Sequence, residues 1–204
     1  MPIYNMPFVY RLHSQYTLST RQLSRALHFV INKHSSLHTA LIFNSREQQL
    51  IQNIITLHNQ NKKQYFTFIT STYESEEQLQ QIILEERQNP QVFDLAKGLV
   101  FRCHLVYHQQ ITPGDILSDK DLLIFNFHHA VFDLPSMNIF LHDLNEAYLT
   151  GESSSHDDTD RGTTLRYLDC TYSSSILDFT ILYCSCRCCH RKKNDDERCT
   201  FLLA

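Results

Sequence analysis

The chain has 204 residues, of which 42% are hydrophobic and 20% charged, with a formal net charge of −4. That length and composition suit one globular domain with a sizeable core plus some extra segments. The charge balance argues against a nucleic-acid partner, and no apolar run approaches the about 20 residues of a membrane span.

Met1–Gln15 has no basic start followed by an apolar stretch, so no secretory signal is read there. The first helix is the clearest element. Leu23, Ala26, Leu27, Val30 and Ile31 repeat with the spacing of one buried helical face. Ser19, with Gln22 three residues on, gives its capping pattern. Segments 37–43 and 49–55 then read as strands around a turn at Asn44–Ser45, and 65–69 as a weaker strand.

A second helix starts at Ser75, shows an apolar face of Leu79, Ile82 and Ile83, and stops at Pro90. Within it, Glu85, Glu86 and Arg87 read as a solvated face. Segment 99–107 predicts a strand. Segment 122–127 is apolar except for Asn126, which suits a central strand covered on both faces. The third helix begins near Pro135, with Met137, Phe140, Leu141, Leu144 and Tyr148 inward. Residues 150–164 are rich in Ser, Asp, Gly and Thr and read as a linker. Helices interleaved with strands predict a layered α/β sandwich, its strand order unreadable from the pattern.

Chemistry concentrates at Phe125-Asn126-Phe127-His128-His129-Ala130-Val131-Phe132-Asp133-Leu134-Pro135-Ser136-Met137. Two histidines close a buried strand, and an aspartate follows just before a helix. Neighbouring strand residues face opposite ways, so only one histidine enters a given cleft. A histidine with one nitrogen fixed to the backbone keeps the other for a substrate. The bare pattern arises by chance in roughly 4 of 100 chains of this composition, so its context decides. The remaining histidines, among them His28, His58, His104, His108 and His142, read as surface or strand-face residues.

The segment resembles the H-H-x-x-x-D-G motif of condensation domains in nonribosomal peptide synthetases, which share the chloramphenicol-acetyltransferase-like fold. Three other stretches are similar to that family's boxes, in its order. Lys33-His34-Ser35-Ser36-Leu37-His38-Thr39 resembles R-H-E-x-L-R-T. Phe93-Asp94-Leu95 with Gly98-Leu99-Val100-Phe101-Arg102 resembles F-D-L … G-P-L-L-R. Leu165-Arg166-Tyr167-Leu168-Asp169 resembles Y-x-D-Y. The resemblance implies one lobe of that sandwich over residues 1–172, and amide or ester formation between carrier-bound acyl groups.

By the same resemblance His129 is the catalytic residue that faces the tunnel, and His128 packs into the sheet. Asp133 is structural, through an ion pair to the upstream box, where His38 now stands for an arginine. Arg102 keeps the arginine of its own box. Leu134 replaces the motif glycine, Lys33 the other arginine and Ser35 the glutamate. No cofactor is bound directly, because substrates arrive on the phosphopantetheine of a partner carrier protein. The family's domain has two lobes, so the isolated chain is expected to be inactive unless another chain supplies the second. The alternative is an inactive module that binds a carrier protein or partner chain.

Of seven cysteines, Cys184, Cys186, Cys188, Cys189 and Cys199 crowd the end of the sequence. This clustering does not make a disulfide framework, and a reducing, cytoplasmic setting is expected. Their spacing fits no paired zinc motif, so no metal site is assigned. A palmitoylated stretch beside the basic run is a further reading, and residues 173–204 are expected to be a weakly tied tail.

Overall fold

A computed structural model describes residues 4–12, 16–55, 65–111, 114–151 and 179–184. The 152–178 stretch, which holds most of the predicted linker and the Leu165–Asp169 box, lies outside the described residues, as do His58 and most of the cysteine-rich tail.

In chain order the elements are β1 Asn5–Leu12, β2 Leu18–Ser19, α1 Thr20–Lys33, β3 Thr39–Asn44, β4 Gln49–Ile54, β5 Thr67–Tyr73, α2 Glu76–Gln88, β6 Phe101–His108, β7 Ile116–Leu117, β8 Leu122–His128, α3 Leu134–Thr150 and β9 Phe179–Cys184. A five-stranded sheet runs β5-β6-β8-β1-β9. It is antiparallel except between β5 and β6, which α2 connects as a crossover. β3 and β4 form a separate hairpin, and β2 pairs with β7.

Helices cover both faces of the sheet. On one side α1 and α3 pack on Phe8, Tyr10, Phe101, Cys103, Leu105, Phe125 and Phe127. On the other, α2 packs through Leu79 on Val9, Val106, Leu122 and Ile124. The two sets alternate along β6 and β8, as a sheet buried on both faces requires.

The helix starts are those the sequence predicts. The Ser19 and Ser75 hydroxyls accept from Gln22 N and Gln78 N, which satisfies donors with no partner inside the helix. Gln22 does not return its side chain to the cap. It donates instead to the Tyr148 carbonyl at 2.6 Å and ties α1 to the end of α3.

The sequence pattern missed β1, the strand between β8 and β9. Met6, Phe8, Tyr10 and Leu12 do recur at every second position towards α1 and α3, but Pro7 interrupts the run and Val9 is buried on the other face. Within the 173–204 segment, expected to be weakly tied, Phe179–Cys184 forms β9 along β1.

Candidate active site

The two histidines sit where β8 ends and the chain turns towards α3. The His128 N–H donates to the Val100 carbonyl at 3.0 Å, and the His129 N–H to the Tyr4 carbonyl at 2.9 Å. The residues just before β6 and β1 therefore hold the turn. Val131 N closes it on the His128 carbonyl at 3.1 Å. Phe132 stacks on Phe127 with centroids 3.7 Å apart and 7° between planes, and Phe140 stands edge-on to both. This aromatic stack fixes where the Phe132 carbonyl points.

That carbonyl decides the state of His129. It lies 3.2 Å from Nδ1 and can only accept, so Nδ1 carries the proton. Nε2 takes no part in this bond, and the residue is exposed. His128 takes the opposite form. Its Nδ1 accepts from Ala130 N at 3.1 Å, while its half-buried ring lies between Tyr4 and Phe93. Burial, and then the nearby charge of His129, push the His128 imidazolium below its usual range. His128 is thus a packing group whose Nδ1 accepts, whereas the Nδ1 of His129 donates.

Asp133 does not pair with His38, which corrects the expected bridge. The Asp133 carboxylate caps α3, accepting from Ser136 N at 3.0 Å and from the Ser136 hydroxyl. The Ser136 hydrogen bond, ahead of a smaller effect of His129, lowers its carboxyl below the usual range. His38 is buried, and its Nδ1–H donates to the Ile55 carbonyl at 2.9 Å. A short imidazole there is consumed by its own strand neighbour and cannot reach out as an arginine would.

The upstream box reaches α3 by another route. Lys33 Nζ lies 3.1 Å from Asp143 Oδ1 and His34 Nε2 lies 2.6 Å from Oδ2. Leu134, in place of the motif glycine, stands in the first turn of α3, half-buried against the aromatic core. It takes an ordinary helical backbone. Gly98 is the glycine that geometry demands. Its φ is 71°, and a Cβ there would fall 2.4 Å from Ile55 Cδ1 and 3.3 Å from Ala40 N.

Arg102 lies on the opposite side of the sheet from the α3 core. Its guanidinium is 3.4 Å from Glu86 Oε1 and 3.3 Å from the Val92 carbonyl. Glu86 corrects the solvated-face reading, since it is 3% exposed. It stands seven residues after Leu79, on the inward stripe of α2, and that spacing was the signal available. His104 and Asn126 complete this polar cluster.

Among the described residues, His142, Asp143 and Glu146 bring three possible metal-ligand atoms within 4.8 Å. The Lys33 ammonium lies 3.1 Å from Asp143 Oδ1, so a cation already stands beside that carboxylate. No described helix is long and apolar enough to cross a membrane.

Comparison with known proteins places this arrangement. The condensation-domain family profile matches residues 2–170. The chain belongs to the condensation-domain family. It is 28% identical over 146 residues to a linear gramicidin synthase polypeptide of Brevibacillus parabrevis, covering 72% of this chain and 2% of that protein. It is 27% identical over 146 residues to a hybrid PKS-NRPS synthetase of Penicillium crustosum, covering 71% and 3%.

The epimerization domain from the third module of tyrocidine synthetase B superposes with a TM-score of 0.56 at 17% identity, covering 72% of this chain and 30% of that one. The condensation domain of the monacolin K polyketide synthase MokA gives 0.52 at 14% identity, covering 80% and 30%. The fold is therefore that of condensation domains, the chloramphenicol-acetyltransferase-like sandwich, and the described residues form one lobe of it. The chain spans 30% of these two solved relatives and 2–3% of the two synthetases.

Proposed function

We propose that this condensation-domain lobe supplies the proton-handling histidine for acyl transfer between two carrier-bound groups. The observation that carries this reading is the His129 Nδ1–H donated to the Phe132 carbonyl, a bond in which Nε2 of this exposed residue takes no part. A ring held through one nitrogen, on an exposed residue, is what a general base requires, and such a group contributes about 10²–10⁴-fold in rate.

In the proposed step the acceptor amine approaches with its N–H towards His129 Nε2. Its lone pair attacks the donor thioester carbon on a carrier's phosphopantetheine. The C–N bond forms and the C–S bond breaks. The proton taken up by Nε2 passes to the departing thiolate, leaving an amide and a free carrier thiol. An alcohol acceptor gives an ester by the same route. His128 packs the turn and takes no proton. Asp133 caps the start of α3 through Ser136.

The partners implied are carrier proteins bearing acyl or aminoacyl thioesters, together with a second lobe that closes the cleft. No resident cofactor is needed, and a cytoplasmic setting fits work on carrier-bound thioesters. The test is single-turnover transfer from a donor-loaded to an acceptor-loaded carrier protein. It is run with the 204-residue chain and again after a condensation-domain second lobe is supplied. Product is expected only in the second case, because holding both reactants in place is worth up to about 7–11 kcal/mol. Equal turnover by the chain alone would refute the need for a closed cleft.

A further inference from the structure

We propose that Glu86, Asn5 and Asn126 form a positioning unit that fixes the His128–His129 turn from the α2 side of the sheet and so holds His129 in its Nδ1–H form. The proposal rests on the reading of His129 as the group that acts on the acceptor, and these three residues touch no substrate in it.

The bonds run in an unbroken chain. The Glu86 carbonyl accepts from Asn5 Nδ2 at 3.0 Å and from Asn126 Nδ2 at 2.8 Å. The Asn89 carbonyl accepts from the same Asn5 amide at 2.9 Å. The last turn of α2 is therefore tied to the first residue of β1 and to the end of β8. Asn5 faces His128 in the β1–β8 register, and the preceding residue, Tyr4, offers the carbonyl that binds the His129 N–H. Asn126 lies two residues before His128, on the same face of β8. Whatever moves the end of α2 therefore moves the Tyr4 support of the turn and the strand end that carries His128.

The Glu86 side chain locks that end in place. Its Oε1 accepts from His104 Nδ1–H at 2.8 Å and faces Arg102 Nη1 at 3.4 Å, and its Oε2 accepts from Asn126 at 2.7 Å. Ser71 Oγ lies 2.8 Å from the other ring nitrogen of His104, which joins β5 to the cluster. Glu86, His104, Asn126 and Asn5 are all buried. Asn126 Oδ1 and Arg102 Nε are buried without a hydrogen-bond partner, so what holds the cluster is its set of bonds to Glu86, which the low-dielectric interior strengthens. The bond it protects is not robust: His129 Nδ1 to the Phe132 carbonyl is 3.2 Å, at the long end of the useful range. A displacement of a few tenths of an ångström loses it.

The test is ¹⁵N-edited imidazole spectroscopy of the uniformly labelled 204-residue chain, comparing wild type, Glu86→Gln and Asn5→Ala. Asp143→Asn serves as a control lesion on the other face of the sheet. Wild type is expected to show the Nδ1–H signature for His129 and the Nε2–H signature for His128. Glu86→Gln and Asn5→Ala are expected to lose the His129 signature to tautomer exchange, while Asp143→Asn keeps it. A wild type without the signature overturns the proposal, as does its retention in Asn5→Ala or its equal loss in all three variants. If Glu86→Gln fails to fold, Asn5→Ala decides, because it leaves every carboxylate bond of Glu86 in place. The spectra read no turnover, so failure here is separable from failure of the catalytic assignment.

Discussion

Replacing Asp143 by asparagine removes the negative centre that clamps α1 to α3. The carboxylate is 8% exposed and is met by Lys33 and His34 from α1 and by His142 from α3 itself. Burial alone would raise its carboxyl, but hydrogen bonds from His34 and Lys33 and the Lys33 charge outweigh that and bring it from 3.8 to about 2. The difference corresponds to about 2 kcal/mol of folding stability. Lys33 is 41% exposed, so solvent screening trims this to about 1–2 kcal/mol. The folded carboxyl is the stronger acid, so its contribution is complete above about pH 4 and fades as the pH falls towards 2. Thermal melts of both proteins between pH 7 and 2 check the sign. At neutral pH Asp143→Asn is expected to melt about 2–8 °C lower, and the two curves should converge near pH 2. A gap that stays constant down to pH 2 would refute the ion-pair argument.

Three further substitutions probe the corrected geometry. His38→Arg, which the family pattern would make restorative, is expected to cost about 2 kcal/mol or more in denaturant titration, because a guanidinium must enter a buried site already bonded to Ile55. An unchanged midpoint would count against that placement. Asp133→Ala is expected to lose about 1 kcal/mol of cap energy while Asp133→Asn stays near wild type in thermal melts. Equal losses would point to a charge role instead. Gly98→Ala is expected to cost about 1 kcal/mol or more by the same titration, from its left-handed backbone and the Ile55 contact. A neutral result would mean that this loop relaxes freely.

What the sequence made legible follows physical rules that act locally. α1 was plain because one residue, Ser19, caps it and five apolar residues recur with helical spacing. β8 was plain because it is apolar on both faces. β1 escaped because, though as buried and as long, it begins with Asn5, contains Pro7 and carries Arg11 near its end. Glu86 escaped for the opposite reason: its spacing pointed inward, and its charge argued for water. Only the tertiary fold brings His104, Arg102 and Asn126 beneath it. His128 and His129 were legible as a pair, but their opposite tautomers were not, since the Phe132 carbonyl and Ala130 N–H that fix them belong to the turn geometry. The Asp133–His38 pairing failed because the substituted side chain is short and finds a carbonyl within its own neighbourhood.

The central claim is that His129 Nε2 takes the acceptor's proton. The most direct measurement is the rate of amide formation from donor- and acceptor-loaded carrier proteins by the two-lobe assembly, with wild-type lobe and with His129→Ala. The expected result is a loss of about 10²-fold or more for His129→Ala, with His128→Phe retaining much more of the rate. Wild-type rates from His129→Ala would contradict it.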